Sequence, residues 1–402
     1  MAEGDAFSIL LLTRYSQNGA SSRLRCYNYL SILERTGFHV TNAAFFGGDY
    51  VDKLYRGKFY GVGHLLRDYA KRVRRLLFAQ SYDLIWIEKE VLPYLPACFE
   101  RIFFGDKPYV VDYDDLWHLR YTEQRNPLIR GILSHKLETI ARRAAAVVVG
   151  NPVLADWAHR AGAQRVIEIP TVVDLKRYQS KPLPDGRFTI GWIGTPITEK
   201  YLEIAAEPLR YMQERFGAKV RLIGVSENFS IPGVEIERVE WREDTEADEL
   251  SRCHVGIMPL TDGPWERGKC GYKLVQYMAS VRATVASPVG FNKTVTVDKK
   301  TGFFAGSTAE WTKVLSWLAT NRDLSRTLGL AGRRRVEENY SLNVMAPKLV
   351  EVLCDVAWTT SRQAGHQLTA AKAKAYNGRT GEFAGKLALV AQSRALGQGA
   401  SD

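Results

Sequence analysis

Residues 255–280 read VGIMPLTDGPWERGKCGYKLVQYMAS, and the order of residue types in this stretch predicts a strand, a loop and a helix. The apolar run 255–260 has the length of a buried strand, and helical spacing of apolar residues begins near Lys273. The segment between them is rich in glycine and basic residues. Such a loop presents backbone N–H groups and cations to an anion such as a diphosphate. We therefore predict an anion-binding loop that includes Lys269 and Lys273.

The same order of strand and helix recurs along the chain. Strands that alternate with helices predict an α/β fold, in which a parallel sheet carries helices on both faces. The other predicted strands are 7–12, 83–88, 108–112, 146–150, 188–193, 220–225 and 283–287. The predicted helices are 23–36, 128–144, 200–216, 273–280, 309–320 and 324–340.

The series falls into two halves, as expected for 402 residues, a length that one hydrophobic core seldom supports. Segment 180–186 contains Pro and Lys and has the composition of an exposed linker. We predict a Rossmann-like N-terminal domain over 1–180, a Rossmann-like C-terminal domain over 181–340, and a helix over 341–360 that crosses back to the first domain. Residues 361–402 are predicted to be a mobile tail. Because doubly wound sheets bind ligands at the carboxyl ends of their strands, the expected site is the cleft between the domains.

Composition excludes several classes of protein. No apolar run approaches the roughly 20 residues of a membrane-spanning helix, and the N-terminus has no signal-peptide pattern, so a cytoplasmic protein is expected. The five scattered cysteines are odd in number and form no Cys-x-x-Cys pair, which argues against a disulfide framework and against a zinc site. A net charge of +11 favours an anionic partner. Since the chain has no nucleic-acid-binding motif, we expect a phosphorylated substrate or an acidic lipid surface and no nucleic acid.

A second candidate loop follows the first predicted strand. It runs from Ser16 to Ser22 and leads into a helix that opens with Arg23 and Arg25. Gly19 allows the backbone to approach a ligand, and the helix N-terminus favours an anion. Turns between strands and helices also contain Gly and Ser for geometric reasons, so this loop alone does not decide between binding and structure.

An acidic cluster follows the strand predicted at 108–112. Asp112, Asp114 and Asp115 lie within four residues, and His118 follows them. Three neighbouring carboxylates repel one another, which is typical of binding or proton transfer. Helix-capping aspartates in a solvated loop are the alternative. The position at the carboxyl end of a strand favours a function.

A third loop follows the strand predicted at 188–193. Gly194 and Thr195 form its turn, and Lys200 opens the next helix. A lysine at a helix start gains nothing from the helix dipole, which favours a phosphate contact for Lys200. A tight turn without a ligand is the alternative.

These segments together resemble the group 1 glycosyltransferases, which form family 4 of the sequence-based classification. The resemblance covers roughly residues 7–357 and is most specific between 259 and 303, while residues 169–178 resemble the interdomain segment of that family. It implies the GT-B fold, with two Rossmann-like domains facing a cleft. It also implies a nucleotide-sugar donor on the C-terminal domain, a glycan or lipid-linked acceptor on the N-terminal domain, transfer with retention of configuration, and no metal or other cofactor.

By their positions, the cleft residues are assigned three roles. The predicted donor-binding residues are Gly19, Ser22, Gly194, Thr195, Lys200, Glu266, Lys269, Lys273, Gln276 and Tyr277. The predicted catalytic residues are Asp114, Asp115, Lys200 and Lys273. The predicted acceptor-binding residues are Arg23, Arg25 and His118.

The sequence departs from the family pattern at four positions in or beside these loops. Gly268 and Gln276 stand where the family commonly has two glutamates, Thr195 stands where it has a phosphate-binding arginine, and Asp114 stands where it has a histidine. The missing glutamates keep a second interpretation open, in which the chain is a catalytically silent GT-B binding or scaffold subunit.

A basic amphipathic helix is predicted within residues 56–75, where apolar residues recur at helical spacing. Each basic residue near an anionic leaflet contributes about 1 kcal/mol to binding, so several would hold the protein reversibly on the inner face of the cytoplasmic membrane. A surface helix with solvated charges is the alternative. The predicted membrane contacts are Arg67, Lys71, Arg72, Arg74 and Arg75.

Overall fold

The structure is a computed structural model that describes residues 7–363. Its first sheet has six parallel strands, and the apolar residues of its four central strands are buried on both faces. These strands are β1 (Phe7–Tyr15), β2 (Phe38–Phe46), β3 (Leu84–Glu88), β4 (Tyr109–Tyr113), β5 (Ala146–Val149) and β6 (Val166–Glu168). They lie in the order β2-β1-β3-β4-β5-β6.

The second sheet also has six parallel strands. They are β7 (Thr189–Ile193), β8 (Lys219–Ile223), β9 (Ile236–Val239), β10 (Val255–Met258), β11 (Ala283–Ala286) and β12 (Gly302–Phe304). Their order is β12-β11-β10-β7-β8-β9. Strand order reverses beside β1 in the first sheet and beside β7 in the second, and such switch points open a crevice at the carboxyl ends of the strands.

Helices cover both faces of each sheet. Those that follow strands of the first sheet are α1 (Ala20–Arg25), α2 (Leu30–Arg35), α3 (Gly48–Tyr55), α4 (Val62–Leu76), α5 (Cys98–Phe104), α6 (Leu119–Thr122), α7 (Pro127–Leu133), α8 (Lys136–Arg143) and α9 (Pro152–Arg160). Those that follow strands of the second sheet are α10 (Ala206–Phe216), α11 (Glu246–Ser251), α12 (Pro264–Arg267), α13 (Tyr272–Ala279), α14 (Asn292–Val295), α15 (Thr308–Thr320), α16 (Arg322–Asn339) and α17 (Leu342–Gln363).

The last helix, α17, packs beneath the first sheet. Leu349 and Leu353 belong to the same buried cluster as Trp86 of β3 and Leu33 of α2. The chain reaches this position beside the interdomain segment, where the Leu342 N–H donates to the Val173 carbonyl at 2.9 Å. Two chain crossings therefore run side by side between the two sheets. The predicted tail falls outside the described residues from position 364 onward.

The predicted strands are all present, and four further strands were not predicted. Strands β2 and β9 lie at sheet edges, where partial exposure interrupts the apolar run, and β6 and β12 have only three residues each. Three predicted helices are interrupted. The helix at 23–36 breaks into α1, a 3-10 turn and α2, the helix at 128–144 breaks into α7 and α8, and residues Glu199–Ala205 form a 3-10 turn before α10.

One basic residue of α4 faces inward. Arg72 is 2% exposed, and its guanidinium donates to the Thr13 carbonyl at 2.6 Å. Burial lowers the pKa of Arg72 to about 9. The prediction that Arg72 contacts a membrane is wrong. Arg72 lies four residues from both Asp68 and Leu76, which are buried, so it shares the inward face of α4 with them. The other predicted contacts are exposed: Arg67, Lys71, Arg74 and Arg75.

Among residues 7–363, none of the helices combines the length and the apolarity that a membrane crossing requires.

Candidate active site

A buried lysine occupies the floor of the cleft at the carboxyl end of β3. Lys89 follows Glu88 directly and has a φ of +66°, a left-handed conformation that is uncommon for a residue with a side chain. Its ammonium is 2.9 Å from Asp114 Oδ1 and donates to the Ser21 hydroxyl at 2.7 Å. Three separate segments of the chain thus meet at one cation.

Asp114 and Asp115 differ in their surroundings. Ser21 donates to Asp114 Oδ2 at 2.5 Å, whereas Oδ1 accepts no well-aligned hydrogen bond from the described residues. Burial raises the pKa of Asp114, but Lys89 and the Ser21 hydroxyl outweigh burial and lower it. Burial and the adjacent Asp114 charge raise the pKa of Asp115 to about 6. Asp114 is therefore a carboxylate held in place by Lys89 and Ser21, and the pKa of Asp115 lies near 6.

Glu90 holds the turn that follows these aspartates. Its carboxylate is 3.0 Å from Arg14 Nη1 and 2.7 Å from Lys136 Nζ. It also accepts hydrogen bonds from Trp117 Nε1 at 3.1 Å and from the Tyr121 hydroxyl at 2.7 Å. Burial raises the pKa of Glu90, but Lys136 and Arg14 outweigh it and lower the pKa to about 2. Because all four partners belong to the N-terminal domain, Glu90 fixes the wall that this domain contributes to the cleft.

The two predicted acceptor-binding arginines make contacts within the protein. Arg25 is 2% exposed, and its Nε and Nη2 atoms donate to the Asp112 carboxylate at 2.7 and 2.9 Å. Arg23 lies with its guanidinium 4.6 Å from the ring of Trp241, a residue of the C-terminal domain, and 3.8 Å from Glu243. Arg25 is thus a buried structural cation, and Arg23 connects the two domains.

His118 points away from the aspartates. Its ring stacks on Trp157 of α9, with 4.9 Å between centroids and an interplanar angle of 6°. Burial lowers the pKa of His118 to about 4. The structure therefore does not bring His118 together with Asp114 and Asp115.

On the C-terminal domain, the turn after β7 lies beside Lys273. The Thr195 N–H donates to Thr198 Oγ1 at 3.2 Å, and Lys273 Nζ donates to the same oxygen at 3.3 Å. The Lys273 ammonium also lies 4.1 Å from the ring of Trp192. A side chain at Gly194 would overlap that ring, so glycine is required for this close approach.

Three lysines gather at this wall of the cleft. Lys200 and Lys269 lie 5.2 and 5.9 Å from the Tyr201 ring. Burial and the nearby Lys269 lower the pKa of Lys273 well below its ordinary value of 10.5. None of the three forms an ion pair with a carboxylate of the described residues. Cations that converge without an acidic partner favour an anionic ligand.

Two predicted donor-binding residues are buried within the C-terminal domain. Tyr277 is 1% exposed, and its hydroxyl accepts from the Ile193 N–H at 3.1 Å and donates to the Ile257 carbonyl at 3.0 Å. Gln276 is 4% exposed and donates to the Tyr178 hydroxyl at 3.2 Å. Both side chains thus have protein partners in place of a ligand.

Three other predicted donor-binding residues have local partners. Ser22 is fully buried and donates to Glu88 at 2.5 Å, and Glu266 accepts a hydrogen bond from Tyr201. Gly19 is the N-cap of α1, where a side chain would overlap Tyr15. These contacts shape the two loops at the cleft.

The basic loop of the C-terminal domain packs directly on the N-terminal domain. Asn151 Nδ2 donates to the Gly268 carbonyl at 2.8 Å, and the Cys270 thiol is 2.9 Å from the Asp114 carbonyl oxygen. A side chain at Gly268 would overlap Leu116. The site is therefore built from both domains.

Comparison of the sequence with models of protein families and with curated proteins finds no match. Solved structures do match. Sucrose-phosphate synthase from Thermosynechococcus elongatus is 14% identical with a TM-score of 0.65, over 88% of this chain and 100% of that one. A glycosyltransferase from Rickettsia africae ESF-5 is 13% identical with a TM-score of 0.63, over 88% and 99% of the two chains. Anabaena Alr3699/HepE in complex with UDP is 14% identical with a TM-score of 0.64, over 87% and 100%. The chain has a GT-B fold.

In this GT-B chain, acidic and basic groups lie on opposite walls of the cleft. Asp114 and Asp115 follow β4 of the N-terminal domain, and Lys269 and Lys273 follow β10 of the C-terminal domain. The contact between Cys270 and Asp114 brings the two walls together.

Three buried charged residues at this end of the cleft were not predicted, namely Glu88, Lys89 and Glu90, whereas Ser21 lies in the predicted loop 16–22. A signal was present, because the charged run 88–90 follows a strand whose preceding residues are all apolar. Charges at that position of a parallel strand indicate the carboxyl-end crevice.

Proposed function

We propose that the protein is a glycosyltransferase that moves a sugar from a nucleotide-diphosphate-sugar donor to an acceptor hydroxyl. The observation that supports this most directly is the set of three lysines that form no ion pair within residues 7–363, opposite Asp114 and Asp115 in a GT-B cleft. Anabaena Alr3699/HepE was crystallised with UDP and with UDP-glucose, which supports a nucleotide-sugar as the donor.

The proposed chemistry assigns leaving-group stabilisation to the basic wall. As the bond between the anomeric carbon and the diphosphate oxygen breaks, negative charge grows on the diphosphate beside Lys273, Lys269 and the turn at Thr195. Fixed cations and N–H groups stabilise such charge without reorganisation. The acceptor oxygen forms the new bond to the anomeric carbon, and its proton leaves to the departing phosphate or to Asp115. We propose that the lysines take the role of a metal and that configuration is retained.

A nucleotide-binding screen tests the proposal. UDP, GDP, ADP, CMP and their common sugar conjugates are added singly, and the melting temperature is measured, since a ligand of the folded state raises it. A shift with one nucleotide identifies the base, and release of that nucleotide from its sugar conjugate then measures turnover. We expect turnover to persist in excess EDTA. No shift with any nucleotide would contradict the proposal.

A catalytically silent binding or scaffold subunit is the second candidate. The burial of Gln276 and Tyr277 favours it, because these side chains contact the protein itself. Nucleotide binding without hydrolysis or transfer, across a panel of acceptors, would support this candidate. Donor hydrolysis in the absence of acceptor would exclude it.

We also propose that the enzyme works in the cytoplasm, in the synthesis of a cell-surface polysaccharide or glycolipid, and binds the inner face of the membrane through α4. Lys71, Arg74 and Arg75 are exposed there, and Leu66 and Phe78 are 64% and 61% exposed. In a sedimentation assay, the wild-type protein should co-sediment with anionic liposomes. The variant with alanine at Lys71, Arg74 and Arg75 should stay in the supernatant. The matched control replaces Lys313, Arg326 and Arg334, which are exposed on α15 and α16. Equal retention of both variants would contradict membrane binding by α4.

A further inference from the structure

Three consecutive charged residues are buried where β3 ends: Glu88, Lys89 and Glu90. The Glu90 N–H donates to the Glu88 carbonyl at 2.8 Å, which closes a three-residue turn around Lys89. With a φ of +66° at its central residue, this is the rare and strained form of such a turn. Strained backbone conformations are concentrated at functional sites, where the surrounding structure maintains them. The conformation of Lys89 therefore indicates a role in the site.

The turn directs the Lys89 ammonium onto Asp114. Its Nζ is 2.9 Å from Asp114 Oδ1 and 3.6 Å from Glu88 Oε1, so Asp114 is its nearest carboxylate. The other Glu88 oxygen accepts from the Arg14 N–H at 2.8 Å and from the Ser22 hydroxyl at 2.5 Å. Lys89 is 1% exposed, so water and salt do little to screen its charge from Asp114.

Asp115 lacks such a partner. Within residues 7–363, no hydrogen bond or ion pair reaches its carboxylate. Asp114, by contrast, has Lys89 at Oδ1 and the Ser21 hydroxyl at Oδ2. Ser21 also accepts from Lys89 at 2.7 Å, so the cation, the hydroxyl and the carboxylate are all in mutual contact. The two adjacent carboxylates after β4 thus have different surroundings, and such a difference separates the roles of paired acids in active sites.

The remaining charged groups around the two aspartates leave this difference in place. Asp112 is paired with Arg25 through two hydrogen bonds of 2.7 and 2.9 Å, so this pair adds little net charge. On the C-terminal domain, burial raises the pKa of Cys270 to about 12, which keeps its thiol neutral. Burial and the neighbouring carboxylate raise the pKa of Asp115 to about 6 and outweigh Lys269, which lowers it. The cation that distinguishes the two aspartates is therefore the one in the strained turn.

We propose that Lys89 is a positioning residue that determines which aspartate receives the proton of the acceptor hydroxyl. Lys89 and Ser21 keep Asp114 ionised and fixed, and the proton goes to Asp115. This inference rests on the proposed glycosyl transfer, because it assigns the proton acceptor within that same cleft.

The proton transfer balances without a further reactant. As the acceptor oxygen bonds to the anomeric carbon, its O–H bond breaks and Asp115 takes the proton. The diphosphate leaves with the electron pair of the broken bond to the anomeric carbon. The diphosphate is the weaker base of the two, because the three lysines of the opposite wall stabilise its negative charge.

The first measurement follows each aspartate in the full wild-type chain and requires no turnover. Carbon-13 NMR of protein labelled at the aspartate carboxyl carbon reports protonation, and the signals lost in Asp114→Asn and in Asp115→Asn assign the two groups. We expect Asp115 to titrate with a midpoint near pH 6, and Asp114 with a midpoint below its ordinary value of 3.8. A midpoint near 6 for Asp114 would overturn the inference.

Two substitutions at one position separate the charge of Lys89 from its size. Lys89→Gln removes the charge and keeps an N–H donor, whereas Lys89→Arg keeps the charge. Loss of the adjacent opposite charge should raise the titration midpoint of Asp114 by about 1–3 pH units in Lys89→Gln, and Lys89→Arg should titrate like the wild type. The matched control is Lys107→Gln, at a partly buried lysine that precedes β4 and donates to the Gln80 carbonyl at 2.7 Å. It should also titrate like the wild type.

The dependence of turnover on pH is a second readout, which a purely structural role would not change. In the wild-type background, the residual rate of Asp115→Asn should no longer fall as pH drops through about 6. In Lys89→Gln, the fall should persist after Asp115→Asn, because Asp114 has become the group that titrates. The Kd for the donor nucleotide should stay unchanged, since Lys89 belongs to the N-terminal domain.

An Asp114 midpoint that is the same in Lys89→Gln as in the wild type would overturn the inference. A fall in rate at low pH that survives Asp115→Asn while Lys89 is present would also overturn it, and would assign the proton to the departing phosphate. If Lys89→Gln does not fold, the titration of the wild-type chain decides. Absence of turnover in a chain whose aspartates titrate as expected would instead contradict the proposed function, so the two failures are distinguishable.

Discussion

Replacing Lys273 by methionine separates ligand binding from stability. The Lys273 ammonium is half-buried, lies 4.1 Å from the Trp192 ring and has the like-charged Lys269 nearby. A hydrogen bond from a charged group contributes about 1.5–3 kcal/mol, so its loss should raise the Kd for the donor nucleotide about 10- to 100-fold. Lys313→Met, at an exposed position of α15, is the matched control.

The same substitution should not destabilise the free protein. Methionine keeps most of the apolar stem and removes a cation that forms no ion pair in the described part of the chain, while the cation–π contact and the hydrogen bond to Thr198 are lost. We expect a net gain of up to about 1 kcal/mol, or about 2–4 °C in Tm for a domain of this size. Such a trade between stability and function is typical of binding sites.

The pKa of Lys273 determines in which direction the free energy of unfolding changes with pH. Because the folded state lowers the pKa of Lys273, the unfolded chain binds more protons between that lowered value and 10.5. Wild-type stability should therefore rise with pH in that window, and Lys273→Met should lack this rise. Calorimetric titration measures the Kd for the nucleotide, and scanning fluorimetry measures the Tm at each pH. A nucleotide Kd within twofold of the wild type would refute the donor role, and a large fall in Tm would refute the argument about the buried charge.

Three further predictions concern the cleft and its supports. Turnover should fall as pH drops through about 6, where Asp115 becomes protonated, and Asp115→Asn should remove this limb of the pH–rate profile; an unchanged profile would exclude Asp115. Gly268→Glu, which restores a family residue, should lower stability by about 1–3 kcal/mol because of overlap with Leu116, as measured by denaturant unfolding, and a stable variant would contradict this packing. Tyr277→Phe should cost about 1–3 kcal/mol by leaving the Ile193 N–H unpaired, yet keep the nucleotide Kd, whereas weaker nucleotide binding would show a donor contact.

The two-sheet architecture could be predicted from the sequence because strands buried on both faces read as continuous apolar runs. The edge strand β2 was missed for the complementary reason, since most of its residues are only partly buried or exposed. Helix breaks were missed because they depend on tertiary packing. The turn at Tyr27–Tyr29 separates α1 from α2, although the local sequence continues a helical pattern.

Candidate site residues were predictable where the carboxyl end of a strand determines their position, as for Asp114, Asp115 and Lys273. Lys89 was missed because its role depends on Ser21 and Asp114, which are distant in sequence.

Proximity in sequence was misleading elsewhere. His118 lies four residues after Asp114, but the intervening turn directs its ring against Trp157. Tyr277 lies four residues after Lys273, yet it fills the space above Gly256 in the core. Spacing alone does not show which face of a short helix points into a cleft.

The return of α17 to the first sheet has a consequence for biosynthesis. Residues such as Leu349 and Leu353 complete the apolar cluster around Trp86, but the ribosome adds them about 180 residues after β6. At 5–20 residues per second, one face of the newly made sheet stays uncovered for roughly 10–40 s. During that interval the nascent chain exposes a surface that chaperones recognise, and its first half reaches full stability only after release of the last helix.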